Sequence, residues 1–352
     1  MDKKYKLERM SCFAGVRFDL VQAGGGNSSV KLDEEKMLVK ASGINLTQVT
    51  QNNGYVAVDY KKTREWFNKN NLSGLNKKER ERQGKELLAT VSRDEQGKPS
   101  IETFLHALLN TYTLHTHPVS VNTIASQSDW KEAFLSCFPD SVCVAYETPG
   151  IDLALSLYEE ISEKKILPRI VFLQNHGLIV SSDSYREVIE LTNSVTDKLN
   201  LLLGFDLKRY RDVTALQNHC ESQWGFLPMI YCSDDSVVSE LIQSESRDQG
   251  IWPFCPDVLV YCGVSPVFTS SVENISPLND YYKKYSAYPN VVVINKQVYF
   301  FARSLKKAKE SEELLKFHLL TISKNTSPAL RLSLHEIAYL SNWDAEKYRQ
   351  GI

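Results

Sequence analysis

The chain has 352 residues, 42% hydrophobic and 24% charged, and its 41 basic against 43 acidic residues leave a net charge of −2. This composition excludes a disordered or collagen-like chain, the near-neutral balance points to neither nucleic acid nor a membrane surface as partner, and the length suggests about two domains. No apolar run approaches the roughly 20 residues of a membrane span, no apolar segment follows the basic start Met1–Lys6 as a secretory signal requires, and the seven cysteines contain no Cys-x-x-Cys, so a reduced, cytoplasmic protein is expected.

Alternation first appears at Val30-Lys31-Leu32 and Met37-Leu38-Val39, two short strands expected around an Asp33-Glu34-Glu35 turn. Residues 61–98 are densely charged and read as an exposed insertion with some helix. Ser100 is expected to cap a short helix reaching about Asn110, followed by a strand from Tyr112 to His117 that Pro118 stops. Ile151–Lys164 reads as a helix with Leu153, Leu157 and Ile161 on one face, and Ile170–Leu173 as a buried strand. Ser184-Tyr185-Arg186-Glu187 has the capping-box pattern. It opens a long helix whose face carries Val188, Leu191, Val195, Leu199 and Leu202. Residues 206–222 are polar with little periodicity, and a domain boundary is placed there. Beyond it, Asp257–Cys262 and Val291–Phe301 read as strands. Leu305–Ser323 and a terminal stretch including Trp343–Arg349 read as helices.

The sharpest chemical signal is His115-Thr116-His117-Pro118. Residues two apart on a strand point to one side, so both imidazoles can face one ion; two histidines on a strand face are the plainer alternative. His176, in Gln174-Asn175-His176-Gly177, follows the buried strand at 170–173 and is either a third ligand or a turn residue. Glu102, near a helix start, suits the helix dipole or serves as a fourth metal contact or a general base. Gly24-Gly25-Gly26-Asn27-Ser28-Ser29 and Lys40-Ala41-Ser42-Gly43 offer glycines and donors for an anion, or are flexible turns; neither has the Walker or the dinucleotide spacing.

In order and spacing, Gly25-Gly26-Asn27-Ser28-Ser29-Val30, Lys40-Ala41-Ser42-Gly43, Ser100-Ile101-Glu102 with His106, His115-Thr116-His117-Pro118 and Asn175-His176-Gly177-Leu178 resemble the class II aldolase/adducin family from Glu8 to Gly204. The resemblance implies a divalent metal, usually zinc with manganese or cobalt as alternatives, on His115, His117 and His176. It places Glu102 as catalytic acid/base that also approaches the metal. Gly26, Asn27, Ser42, Gly43 and Ser100 match positions that grip a substrate phosphate, and Ser28 and Lys40 stand in the same loops as further substrate contacts. Ile101 departs from the pattern, where a second serine is common. Cys143-Val144-Ala145-Tyr146-Glu147-Thr148-Pro149-Gly150 looks like the segment carrying the proton-donating tyrosine of the L-fuculose-phosphate aldolase branch, with Tyr146 on that tyrosine. Pro256–Gly263 and Trp343–Arg349 look like the aldolase portion of rhamnulose-phosphate aldolase/dehydrogenase proteins.

The fold so implied is α/β: a three-layer α/β/α class II aldolase-like domain over residues 1–206, then a smaller α+β domain over 207–352. The implied function is a metal-dependent aldolase that cleaves a ketose phosphate, a ketose 1-phosphate giving dihydroxyacetone phosphate and an aldehyde. Its partner is a small sugar phosphate, with no nucleic acid or membrane, in a homo-oligomer, a tetramer by family habit. A 4-epimerase, dehydratase or decarboxylase on the same site is the alternative, and a non-catalytic adducin-like scaffold a further one.

Overall fold

In the computed structural model, which describes residues 2–70, 72, 74–93, 97–225, 227–244, 252–327 and 329–341, the hairpin expected around Asp33 begins a seven-stranded sheet. Its strands are β1 (Asn27–Lys31), β2 (Lys36–Lys40), β3 (Tyr55–Asp59), β4 (Tyr112–Thr116), β5 (Val142–Val144), β6 (Ile170–Leu173) and β7 (Gly177–Ser182), in spatial order β3-β2-β1-β4-β7-β6-β5. Every neighbouring pair is antiparallel except β5 and β6. The chain divides into two compact units, Met1–Leu207 and Lys208–Ile352, and this sheet belongs to the first.

Alternation along the strands makes the three layers, because successive side chains leave opposite faces. Leu114, Phe172, Leu178 and Val180 pack with α1 (Lys3–Gly15), α5 (Val119–Ala125), α6 (Trp130–Cys137) and α8 (Tyr185–Leu203). Val142, Val144, Val171, Leu173 and Ile179 pack on the other side. There they meet α2 (Tyr60–Lys69), α3 (Lys77–Val91), α4 (Thr103–Leu108) and α7 (Ile151–Lys164). Each fully buried leucine in these layers contributes roughly 1.5–3 kcal/mol. The helix at 151–164 and the strand at 170–173 lie where the apolar pattern placed them.

Four expectations are corrected here. The 61–98 segment is not an exposed insertion. Its charges face water, but Phe67, Leu72, Leu87 and Val91 are buried against Phe104 and Leu157, and Arg80 Nε donates to Asp152 Oδ1 at 2.6 Å, tying α3 to α7. Ser100 does not cap α4: Glu102 opens that helix, and the Ser100 hydroxyl accepts from the Glu102 N–H at 3.3 Å. The capping box at Ser184 is not made, because the Glu187 carboxylate accepts instead from Ser182 and Arg169. On α8, Val188, Val195 and Leu199 are buried and Leu191 partly so, but Leu202 is exposed.

The second unit carries a four-stranded sheet, β8-β11-β10-β9 (Met229–Cys232, Gln297–Ala302, Val291–Ile294, Val267–Thr269). β10 runs parallel to β9 and antiparallel to β11. Its helices are α9 (Lys208–Trp224), α10 (Ser236–Ser244), α11 (Pro256–Cys262), α12 (Ser276–Tyr285), α13 (Leu305–Ser323) and α14 (Leu334–Ser341). The core joins Val258 and Cys262 of α11, Leu315 and Leu319 of α13, and Val291, Val293, Val298 and Phe300 of the hairpin.

Three expectations change in this unit. Residues 206–222 are mostly helix, with Tyr210, Val213, Leu216 and Cys220 buried at helical spacing. Asp257–Cys262 is a helix rather than a strand, with Pro256 in its first turn and Gly263 just past its end, the usual asymmetry of helix termini. Val291–Phe301 is a hairpin rather than one strand, since Asn295 and Lys296 both take positive φ, +47° and +81°, as a two-residue turn requires. The helix at 305–323 is present with the expected bounds, and the Trp343–Arg349 stretch lies outside the described residues. None of the seven cysteines forms a disulfide. No helix among the described residues is long and apolar enough to cross a membrane.

His318 gives a first prediction. It is fully buried in α13, stacked on Phe254 with ring centroids 5.2 Å apart, and neither ring nitrogen has a hydrogen-bond partner among the described residues. Burial pulls its pKa down to about 4, with Arg331 adding to the shift. The unfolded chain therefore binds the proton that the folded chain refuses, and stability falls as pH drops from about 6.5 toward 4, by up to about 1.4 kcal/mol per pH unit. His318→Phe is expected to lack this component. Urea unfolding of both proteins at pH 7.5 and pH 5 should show the variant gaining on the wild type at the lower pH; an unchanged difference would refute the assignment.

Candidate metal centre

Three adjacent strands assemble the centre. β4 is paired with β1 on one side and β7 on the other, so His115 stands in register with Asn27 and with Ile179. Pro118 ends the strand, and His117 follows it immediately, its N–H donating to the Leu20 carbonyl at 2.8 Å. His176 comes from the three-residue turn between β6 and β7. Asn175 there has φ +52°, a left-handed value that asparagine tolerates. The turn is pinned by two hydrogen bonds, Gln174 N–H to the Val144 carbonyl and Asn175 N–H to the Ala125 carbonyl. Glu102 approaches from the start of α4.

The four side chains converge. One ligand atom from each of Glu102, His115, His117 and His176 lies within 4.8 Å of every other. The Nε2 atoms of His115 and His117 are 3.0 Å apart, and Glu102 Oε1 lies 3.4 Å from His115 Nε2 and 3.8 Å from His176 Nε2. The His117 ring is gripped between glycines. A Cβ on Gly25 would lie 2.7 Å from His117 Nδ1, and one on Gly177 would run into the Thr116 carbonyl and sit 3.0 Å from His117 Cδ2. These two positions admit only glycine without displacing a ligand.

Burial governs the charges. It pulls the His117 pKa down to about 4 and those of His115 and His176 below their ordinary value, and the imidazoles disfavour one another's charged forms at His115 and His117. Burial also pushes Glu102 up to about 7, against a hydrogen bond from Asn27 and the charge of Lys40. The short His–Glu contacts are therefore not ion pairs at neutral pH; three neutral imidazoles present lone pairs beside a carboxyl group that is easily ionised. That donor set suits a divalent ion. Neighbouring ligands around a tetrahedral ion with bonds of roughly 2.0–2.1 Å lie about 3.3 Å apart, and the 3.0, 3.4 and 3.8 Å separations bracket that value.

The remaining expected site residues divide. Asn27 and Lys40 act on Glu102, the first through a hydrogen bond and the second through its charge. Lys40 is buried and its Nζ donates to the Ile44 carbonyl at 2.7 Å. Gly26, at φ +74°, backs onto the His115 carbonyl. Ser100 bonds the Glu102 backbone. Ser42 and Gly43 form an exposed turn after β2, where the Ser42 N–H donates to the Lys98 carbonyl at 2.9 Å. Ser42 and Ile101 share the wall of a cleft of about 830 Å3 with residues of α3. Ser28 is not brought to this side: its hydroxyl sits 2.7 Å from that of Ser11 in α1, on the opposite face of β1. Tyr146 follows β5, its N–H bonded to Gln174 Oε1 at 3.0 Å, and the residue is 58% exposed.

Two residues without an assigned role in the sequence reading support the centre. His106 is fully buried in α4, with Nδ1 2.7 Å from the Ser29 hydroxyl, and Gln174 links the His176 turn to Tyr146. For His106 the signal was its place one helical turn after Glu102; Gln174 carried no signal beyond adjacency to Asn175-His176.

Residues 12–201 match the model of the Class II Aldolase and Adducin N-terminal domain. Among solved structures, the chain is similar to the N-terminal class II aldolase domain of a conserved protein from Thermoplasma acidophilum. Identity there is 22% and the TM-score 0.50, over 57% of this chain and 94% of that one. It is also similar to an aldolase II superfamily protein from Pseudomonas syringae, at 15% identity and TM-score 0.42, over 57% and 74% of the two chains. A third is YgbL, a putative aldolase/epimerase/decarboxylase from Klebsiella pneumoniae, at 15% identity and TM-score 0.41, over 57% and 88%. No curated protein matches the chain.

Proposed function

We infer, from the premise that this chain belongs to the class II aldolase and adducin family, that it is a metal-dependent aldolase acting on a ketose phosphate. The observation that carries the reading is the convergence of His115, His117 and His176 on Glu102 in one buried cluster. A divalent ion, zinc in the first instance, would be held by the three imidazoles with Glu102 beside it, and when bound it supplies Lewis-acid stabilisation of the oxyanion that develops as the carbon–carbon bond breaks.

The chain's own groups do the rest. Aldol cleavage of a ketose 1-phosphate breaks the C3–C4 bond, removes the proton of the C4 hydroxyl as that carbon becomes an aldehyde, and adds a proton at C3 to give dihydroxyacetone phosphate. Glu102, with a pKa near 7, holds that second proton at neutral pH and can take it back in the addition direction. Asn27 fixes the carboxyl group and Lys40 tunes it. Gly26, Ser42, Gly43 and Ser100 are the proposed phosphate contacts. Tyr146, exposed in a single chain, handles the C4 hydroxyl proton of a neighbouring subunit's substrate, which makes the working form an oligomer, a tetramer by family habit.

The test is a product assay on metal-loaded protein with a panel of ketose 1-phosphates, reading dihydroxyacetone phosphate through coupled reduction to glycerol 3-phosphate. Release of dihydroxyacetone phosphate together with an aldehyde is expected for at least one member. An epimerised, dehydrated or decarboxylated product without carbon–carbon cleavage into two carbonyl fragments would replace this reading with the corresponding reaction.

A further inference from the structure

The C-terminal unit contains a cavity of about 650 Å3 lined wholly by its own residues. Four aromatic residues line its wall: Trp224 at the end of α9, Tyr261 in α11, Tyr288 in the loop before β10 and Phe301 in β11. Trp224 and Tyr288 lie ring to ring at 4.5 Å, and Tyr282 stacks on Tyr288 at 4.8 Å with planes 21° apart. Asn290 Nδ2 donates to the Tyr261 carbonyl at 3.0 Å and ties the loop to α11. The aromatic wall is therefore built by contacts within the fold before anything binds.

The charge on the wall is one-sided. Arg303, just past β11, and Lys307, in α13, both line the cavity, and no carboxylate does among the described residues. Lys307 is held in place, its Nζ 2.8 Å from Glu310 Oε2 and 5.0 Å from the centre of the Tyr261 ring. Glu310 lies outside the lining.

The volume falls within the roughly 300–1,000 Å3 of small-ligand sites, far beyond what a bare anion fills. Aromatic faces favour a flat ring, and an arginine with a lysine favours phosphate oxygens. We propose that this cavity binds a phosphorylated heteroaromatic ligand of mononucleotide size, its ring against Trp224 and Tyr288 and its phosphate toward Arg303 and Lys307. The site stands apart from the aldolase reading, because every residue invoked belongs to the second unit.

The experiment uses the full chain labelled with 5-fluorotryptophan, whose Trp224 resonance is identified by its loss in Trp224→Phe. Adenosine 5′-monophosphate is the probe, with adenosine as the ring without charge and ribose 5-phosphate as the charge without ring. The Trp224 resonance should shift saturably with adenosine 5′-monophosphate, with half-saturation below about 1 mM, and each control should bind about tenfold more weakly or worse. Arg303→Ala should weaken binding about tenfold with unchanged circular dichroism, and Lys307→Ala serves if that variant does not fold. A Trp224 signal unmoved by about 10 mM probe overturns the proposal. So does a control that binds as well as the nucleotide, or a folded variant that binds as well as the wild type.

Discussion

His117→Ala, purified without added metal, is expected to emerge without the ion that the wild type carries at about one per chain. His117 is one of three imidazoles whose nitrogens converge beside Glu102, and its ring is fixed on both sides by Gly25 and Gly177. An alanine leaves two imidazoles and a carboxyl group around an enlarged void, and water replaces a pre-oriented nitrogen ligand. Disturbing an outer-shell partner of a metal site typically costs roughly 10–100-fold in affinity, and deletion of a ligand should exceed that. Plasma mass spectrometry on both proteins reads the difference, with far-ultraviolet circular dichroism confirming that the variant is folded. If the wild type arrives metal-free and gains no ion from zinc, manganese or cobalt, the centre is not a metal site and the adducin-like scaffold becomes the better reading.

The second large effect is expected of Glu102→Gln. The amide has the carboxyl group's shape, so the three histidines should keep their ion, but it cannot carry the proton that Glu102 holds with a pKa near 7. Loss of a positioned acid/base typically slows turnover by about 10²–10⁴-fold. The same variant should lose the exchange of a carbon-bound hydrogen of dihydroxyacetone phosphate with heavy water, a half-reaction that needs no aldehyde and no Tyr146. Metal content equal to the wild type, with exchange abolished, identifies a proton carrier. Exchange that persists at the wild-type rate would move the acid/base role to another group.

The parts of the centre visible in the sequence were those encoded by local spacing. His115 and His117 are two residues apart, so a strand alone brings them to one side, and Pro118 marks where it stops. His176 was visible as the residue between a buried strand and a glycine. What spacing does not reveal is which face a neighbour's hydroxyl takes. Ser28 sits between Asn27 and Ser29 in a run of small polar residues, and only the packing of α1 shows that it turns to Ser11. The same division holds for the fold. Ile151–Lys164 and Leu305–Ser323 have apolar stripes long enough to declare helices. Val291–Phe301 looked continuous because Lys296 stands in a turn position where glycine usually gives the signal. The helical spacing of Tyr210, Val213, Leu216 and Cys220 was hidden among polar residues such as Gln217 and His219. Glu187 has the right offset from Ser184 for a capping box, but Arg169, distant in sequence, outcompetes that local bond.

The pairing of β1, β4 and β7 also bears on how the chain recognises its own correct assembly. Asn27, His115 and Ile179 occupy one row across these strands. A slip of a single residue would send the His115 imidazole to the opposite face of the sheet, among Leu114's neighbours and away from Glu102. The side-chain pattern already penalises that error through misplaced apolar groups. An ion held by His115, His117 and His176 together would add a second check, since a misregistered sheet would offer it no complete set of ligands. Occupancy would then select the properly threaded chain from near-misses of similar compactness, so the chemical centre would double as a proofreader of strand alignment.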